Sequence, residues 1–499
     1  MLDVVVVGSG YGGSVLAARL APHGRVLVVE RGRRWESGGL PVTALGLAGE
    51  LATRRNPLGL WSVRIGRGTG NAMAHAVGGS SVVNYGITAR PDDHTFDEWP
   101  LPAHRMAPYY ERALAMLRPT AAPFGDELGD KQFIDLVEPG RRVDLVNTID
   151  WSRCTACGRC VPGCNEGAKR TLGHTYLRAA VAAGAEIRSE TEVIGWEQRQ
   201  GGWEVTIAPT DRPEERTTVQ TRVLAVAAGT FGTLDLMEAH RDRIPLSPAF
   251  GQGMSMNGDA LAFLYNTKFP MSGHHGAPIT TSARLIMNDP SGRPRTLMIM
   301  SGRIPTALQR MSAGILAVIG GLIGRRQGPG DDEPRGSRGR RRLRDLWSLS
   351  ATGALAHTYM YKLDGQDQAR GVARFEDGRS VMDWEDYVDD PVLTFAEARL
   401  RLWADKVGGT VIRDVARWPG MRSFGVHPLG GCRMGRTVED GVLDDHCRVL
   451  RPGGGVWPGL YVVDGSAIPT ALGVPASLTI AAVAERAAEA MEADVRGGR

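Results

Sequence analysis

The chain is 499 residues long, 42% hydrophobic and only +4 in formal charge, long enough for two or more domains around a large core. Most of the small positive excess sits in one arginine-rich stretch, 325–344, so there is no general basic face to argue for nucleic acid. No apolar stretch reaches the roughly 20 residues that span a bilayer. The first strand starts at residue 2, with no basic region, apolar run or cleavage site ahead of it, so the expected location is the cytoplasm.

In chain order, Leu2 to Val7 is an apolar, β-branched run suited to a strand buried on both faces. Gly8-Ser9-Gly10-Tyr11-Gly12-Gly13 follows, then a helical pattern over 14–20 and a second apolar strand over 25–29 that ends on Glu30. This is a βαβ start with a G-x-G-x-x-G turn. Gly8 permits the tight turn, Gly10 lets a pyrophosphate approach the backbone, and Gly13 lets helix and strand pack closely. The helix N-terminus offers free N–H groups to the pyrophosphate. Glu30 is placed to accept hydrogen bonds from a ribose hydroxyl. The opening segment therefore predicts a dinucleotide site.

A second glycine-rich stretch, Ala76-Val77-Gly78-Gly79-Ser80-Ser81-Val82-Val83-Asn84, reads as a loop entering a helix and suggests a further phosphate or ring contact. Residues 108–117 and 169–183 carry helical patterns, and 186–197 with 203–207 alternate like a hairpin. Residues 223–227 form another buried strand, stopping at Ala228-Gly229. The middle, 246–424, alternates like strands and holds an apolar helical run at 311–323 followed by the arginine-rich 325–344. That pair reads as a core helix with a disordered loop, or as a lid or interfacial helix making peripheral contact with a membrane or a greasy substrate. The last quarter carries Val426-His427-Pro428-Leu429-Gly430-Gly431-Cys432, then Val462-Val463-Asp464-Gly465-Ser466, then a helix from about 476 to 491.

Four of the six cysteines fall at Cys154-x-x-Cys157-x-x-Cys160-x-x-x-Cys164. Spacings of two, two and three wrap thiolates around one compact object, as in bacterial ferredoxins. Zinc sites more often pair two C-x-x-C knuckles across a longer loop. The expectation is one iron–sulfur cluster, [4Fe–4S], or [3Fe–4S] if one thiolate fails to reach, with zinc or unligated thiols as the alternatives. Cys432 reads as a buried thiol.

Together these segments resemble the glucose–methanol–choline (GMC) flavoprotein oxidoreductases, in particular their cholesterol-oxidase-like branch. The likeness covers the first βαβ, the Gly78-Gly79-Ser80 loop, 223–232 and most of 425–490, and only weakly the middle. It implies an α/β chain (α+β overall). A discontinuous Rossmann-type FAD-binding domain would span 1–90, 165–245 and 425–499, and an antiparallel-sheet substrate domain 91–164 and 246–424. It implies FAD as cofactor. The corresponding cofactor positions are Gly8, Gly10, Tyr11, Gly13, Glu30, Arg31, Gly78, Gly79, Ser80, Asn84, Val193, Ala228, Gly229, Asp464, Gly465, Ala476 and Ser477. At 464–466 an acid and backbone amides can hold the ribityl chain and ring end of the flavin.

The family's reaction passes hydride from a substrate C–H to the flavin while a histidine removes the hydroxyl proton, and His427 occupies that histidine's position. A neutral imidazole near pH 7 suits the task. One departure stands out. Where similar oxidases carry a second polar catalytic residue, this chain has Pro475, which has no side-chain donor; Ser477 or a residue of the middle domain must substitute. The expected substrate is a lipophilic alcohol, sterol-, terpenoid- or polyketide-like. A cluster on the cysteine run, which also resembles one in some members of that branch, would favour a dehydrogenase with an external electron acceptor. Two other readings stand beside it: a redox-neutral FAD-dependent isomerase or epimerase, and a flavin and iron–sulfur electron-transfer protein without its own substrate.

Overall fold

In a computed structural model, which describes residues 1–123, 130–270, 279–304, 312, 314–316, 319, 353–413 and 421–497, the apolar run Leu2–Val7 becomes a strand with Val4, Val5 and Val6 wholly buried. It pairs in parallel with Val26–Val29 on one side and Thr217–Val226 on the other. Glu186–Arg188 extends the sheet beyond Val26–Val29, and Val456–Val462 extends it beyond Thr217–Val226, both in parallel. Helices cover such a sheet on both faces, which is why its strands read as unbroken apolar runs rather than alternating ones.

Thr217–Val226 serves two partners. Its second half lies in the parallel core, while its first half pairs antiparallel with Gly202–Pro209, itself hairpinned to Thr191–Arg199. The stretch read as one hairpin strand over 186–197 is thus two strands. Glu190, with φ +52°, turns the chain between them, a conformation that breaks a strand. The helix expected over 169–183 is shorter as well: a 3₁₀ turn Leu172–His174 precedes the α-helix Tyr176–Ala182. The delay has a cause in Lys169, whose side chain turns inward to backbone carbonyls of the 78–84 loop. That loop carries only the 3₁₀ turn Gly79–Val82. The C-terminal helix Ser477–Gly497 packs on Tyr11–Leu20, where Arg19 forms a bidentate pair with buried Glu485 at 2.7 and 2.8 Å.

The second large sheet is antiparallel. Its order is Thr410–Arg413, Ala260–Tyr265, Tyr359–Gly365, Pro294–Gly302, Thr281–Asn288 and Arg142–Asp144. Side chains alternate along its strands. From Tyr359–Gly365, Tyr359 and Tyr361 face Phe133 and Trp403, with ring centroids 4.1 and 5.4 Å apart for the Phe133–Tyr359 and Tyr361–Trp403 pairs. The opposite face therefore carries Met360, Lys362 and Asp364. Met360 joins a small apolar cluster with Phe263, Ile304, Leu355 and Leu316, and Ile319 packs against it. Leu316 and Ile319 are among the described parts of the apolar run at 311–323. Most of that run, and all of 325–344, lie outside the described residues. Among the described residues no helix is long and apolar enough to cross a membrane.

Candidate active site

The first glycine turn is shaped by contact on one side and open space on the other. A Cβ on Gly12 would lie 1.7 Å from the Val463 carbonyl oxygen, so the C-terminal segment presses directly on this turn. Gly13 packs on the Gly8 carbonyl, and Gly8 itself sits at φ +96° against Ala227. Gly10 is different. A Cβ there would meet nothing within 4 Å, and as N-cap it supplies no side chain to the first helical amides. Those N–H groups are left for an anion.

Glu30 is buried and accepts from the Ser9 N–H at 3.0 Å, the Ser9 hydroxyl at 2.7 Å and the Gly32 N–H at 2.8 Å. Burial pushes its carboxyl up, and these donors oppose it. The Ser9 hydroxyl also accepts from the Gly78 N–H at 2.9 Å, which docks the second glycine loop on the first. A Cβ on Gly79 would come within 2.8 Å of the Gly10 Cα; Ser80, beside it, is exposed. Arg31 faces the Glu192 carboxylate at 3.7 Å. Val193 is buried in the strand whose Thr191 N–H donates to the Glu30 carbonyl at 3.0 Å.

At the far end, Asn84 donates to the Tyr11 hydroxyl at 3.0 Å, and that hydroxyl, raised in pKa by burial, also meets Ser477. Ser477 donates to the Ile87 carbonyl at 3.3 Å and begins the last helix, just after buried Ala476. Asp464 knits three segments together. It accepts from the Gly229 N–H at 2.9 Å, from Thr233, and from both the N–H and the hydroxyl of Ser466 at 2.8 and 2.6 Å. Ala228 donates to the Thr233 hydroxyl at 3.2 Å. A Cβ on Gly465 would strike Thr230 at 2.7 Å, and the Thr230 hydroxyl holds the Pro428 carbonyl at 2.6 Å. The predicted cofactor positions thus converge on one tract, and the loop bearing His427 is bolted to its edge.

His427 follows the strand Met421–Gly425. Its loop is fixed by Val426 N–H to Asp259 at 2.6 Å, Leu429 N–H to Ser255 at 2.8 Å and Gly430 N–H to Gly465 at 3.0 Å. Its Nδ1 lies 3.0 Å from Asp364 Oδ1, 3.4 Å from Lys362 Nζ and 3.8 Å from Asp259 Oδ2. Lys362 donates to Asp259 at 2.6 Å and to Asp364 at 2.8 Å. Asp364 in contact with Nδ1 makes that nitrogen the N–H, leaving Nε2 as the basic one. Burial works against ionised Asp364, but Lys362 and then His427 hold its carboxyl below the usual range. Burial likewise opposes the Lys362 charge, and Asp259 and Asp364 hold it above the usual range. Asp259, Asp364 and His427 have metal-ligand spacing, yet the ammonium of Lys362 already bonds both carboxylates. The cluster carries its own cation.

These three partners of His427 were not singled out from the sequence. The signal was there: Lys362-Leu-Asp364 places two charges two residues apart inside an otherwise apolar strand, Tyr-Met-Tyr-Lys-Leu-Asp-Gly. Charges so placed share one face and must find partners. Ser477 bonds to Ile87 and Tyr11, whereas the polar partners of His427 are Asp364, Lys362 and Asp259. The segment leading to Pro475 is clamped by Asn257. Its amide donates to the Val474 carbonyl at 2.8 Å and accepts from the Leu472 and Gly473 N–H groups at 2.7 and 3.2 Å.

The four clustered cysteines line a single cavity of about 360 Å³, open space at its mouth included, together with Ile149, Ala168 and Lys169. Burial pushes the Cys160 thiol up to about 12, with Lys169 opposing. Among the described residues, the sets of three ligand atoms within 4.8 Å of one another are Asp259, Asp364 and His427, and Asp444, Asp445 and His446; no three of the four sulfurs form one. Tetrahedral zinc at 2.3 Å would draw its sulfurs to about 3.8 Å from each other. Cys432 is buried, as expected.

Models of the GMC oxidoreductase family match the chain over residues 3–239 and 336–484. A cholesterol oxidase of Mycobacterium tuberculosis is 30% identical, the alignment covering 97% of this chain and 90% of that protein. A long-chain-alcohol oxidase of Arabidopsis thaliana is 25% identical over 97% of this chain and 65% of its own length. Among solved structures, a pyridoxine 4-oxidase from Mesorbium loti superposes with a TM-score of 0.63 at 16% identity, covering 98% of this chain and 99% of that one. The glycine turns, the acid-capped strand ends and the histidine loop thus stand in a chain that belongs to the GMC oxidoreductase family of FAD-dependent enzymes.

Proposed function

We propose that this enzyme oxidises the CH–OH group of a lipophilic alcohol, with His427 as the base. FAD fits the residues present: open space over Gly10, uncapped amides behind it, and Glu30 fixed at the strand end. When bound there, FAD supplies the two-electron acceptor for the carbinol carbon. The chain's own work is proton handling. Asp364 orients the imidazole through Nδ1, so Nε2 is free to take the hydroxyl proton. Asp259 and Asp364 carry two negative charges and Lys362 one positive, so the cluster behind His427 is negative overall and stabilises the imidazolium that forms.

The observation that carries this reading is the 3.0 Å contact between His427 Nδ1 and Asp364. Support for a lipophilic substrate comes from the relatives named for cholesterol and long-chain alcohols. In this reading 1–90, 165–245 and 425–499 hold the cofactor, while 91–164 and 246–424 hold the substrate.

The cysteine cavity is the second part of the reading. Four thiols grouped around one cavity, at the spacing of bacterial ferredoxins, support an iron–sulfur cluster as a one-electron outlet to an external acceptor. The test is anaerobic mixing of holoenzyme with long-chain and sterol alcohols while following the flavin absorbance. Bleaching that falls ~10²–10⁴-fold in His427→Ala, at unchanged flavin content, is expected. Bleaching as fast as in the unaltered enzyme removes His427 from the role. Product formed under argon with no acceptor would favour the redox-neutral isomerase instead.

A further inference from the structure

Lys169 is buried, 3% exposed, and its ammonium donates to three main-chain carbonyls: Val82 at 3.0 Å, Cys160 at 2.8 Å, and Asn84. Val82 and Asn84 belong to the loop that docks on the dinucleotide turn, and the Asn84 side chain reaches Tyr11. Cys160 is the third cysteine of the cavity, which Lys169 itself helps to line. One side chain therefore joins the cofactor loop to the cysteine run. Its hydrogen-bond partners are neutral carbonyls, not carboxylates. A buried ammonium is costly unless an opposite charge faces it. The cysteines lining the same cavity can supply that charge, because thiols ionise when they ligate metal.

We propose that Lys169 is a positioning residue and internal counter-charge for an iron–sulfur cluster on Cys154, Cys157, Cys160 and Cys164, seating that cluster against the cofactor loop. The inference rests on the cluster reading above and adds a role for a residue outside the ligand set. A cluster on four thiolates is negative, and its reduction adds one electron, turning one ferric centre ferrous without breaking a bond. A fixed positive charge on the cavity wall favours the reduced form and raises the reduction potential. A purely structural strut would leave that potential alone.

The test uses the full-length holoprotein, reconstituted anaerobically with ferrous iron and sulfide and titrated with dithionite. Iron, sulfide and flavin are counted and the reduced cluster is followed by electron paramagnetic resonance. Lys169→Arg, which keeps charge and donors, is expected to match the unaltered protein. Lys169→Met is expected to hold its cluster at a lower potential, or to lose iron while keeping flavin. The same iron content and the same potential in Lys169→Met would overturn the inference. Should the methionine variant fail to accumulate, Lys169→Gln, which keeps an amide donor without the charge, is read by the same criteria. Unaltered protein that takes up no iron and sulfide, or that takes one zinc instead, removes the cluster reading and this inference with it. A loaded cluster indifferent to Lys169 removes the inference alone.

Discussion

The parallel sheet around Leu2–Val7 and the antiparallel sheet around Tyr359–Gly365 hold polar groups out of water with different materials. In the first, the working parts are backbone amides and the space left by missing side chains, as at Gly10 and Gly12. In the second, they are ionised side chains, Lys362 between Asp259 and Asp364, with His427 leaning on the group. A site made largely of backbone is sensitive to added volume. A site made of buried charges is sensitive to the loss of any one member, because the remainder is left unpaired.

The largest effect falls at Gly12. Gly12→Val pushes carbon into the Val463 carbonyl, so the protein is expected to lose all retained flavin on gel filtration; a variant that keeps its yellow colour would refute the close approach. Next in size is Lys362→Met, which strands two buried carboxylates and is expected to cost about 3–5 kcal/mol in urea unfolding. A loss under about 1 kcal/mol would mean that the cluster is wetter than its burial suggests. The same pair sets a pH dependence. Because Asp364 is held below its ordinary value, its contribution to stability is present above that value, near 3.8, and is lost as pH falls through the lowered one. Asp364→Asn should flatten that acid limb of the melting curve.

Asp364→Asn also has a catalytic consequence. It should lower kcat by on the order of 10²-fold at unchanged flavin content, by misorienting the His427 ring rather than removing it. An unaltered kcat would show that the imidazole needs no partner. The smallest effect belongs to Gly10→Ala. Gly10 has φ −68° and room for a methyl group, so the FAD-free protein should be neutral or gain ~0.4–1 kcal/mol. The affinity for FAD should still fall, since the methyl enters the space meant for the pyrophosphate. Equal FAD affinity would separate the turn from the cofactor.

Much of this architecture was legible in the chain itself wherever a short segment decides its own shape. The glycine spacing from Gly8 to Gly13 and the unbroken apolar strands act through local backbone geometry, so the βαβ unit they predict is present in the folded protein. The switch at Glu190 and the shortened helix before Tyr176 were not legible, because tertiary contacts overrode local pattern: one by a positive φ, the other by the inward pull on Lys169. The cysteine spacing announced that four thiols would share one space, while their tie to the second glycine loop depends on a lysine that looks like any other in the sequence.

What the sequence determined alone was the nucleotide-binding βαβ, the histidine loop and the grouping of four thiols, each written within a dozen or so consecutive positions or at a fixed offset. The company His427 keeps was set by the way distant segments pack together. Asp259, Lys362 and Asp364 stand 63 to 168 positions away along the chain. Lys362 and Asp364 meet the imidazole because a strand of the antiparallel sheet turns alternate residues to one face, and Asp259 joins them from just ahead of the neighbouring strand Ala260–Tyr265. Burial then makes their charges depend on one another, and no local pattern encodes that.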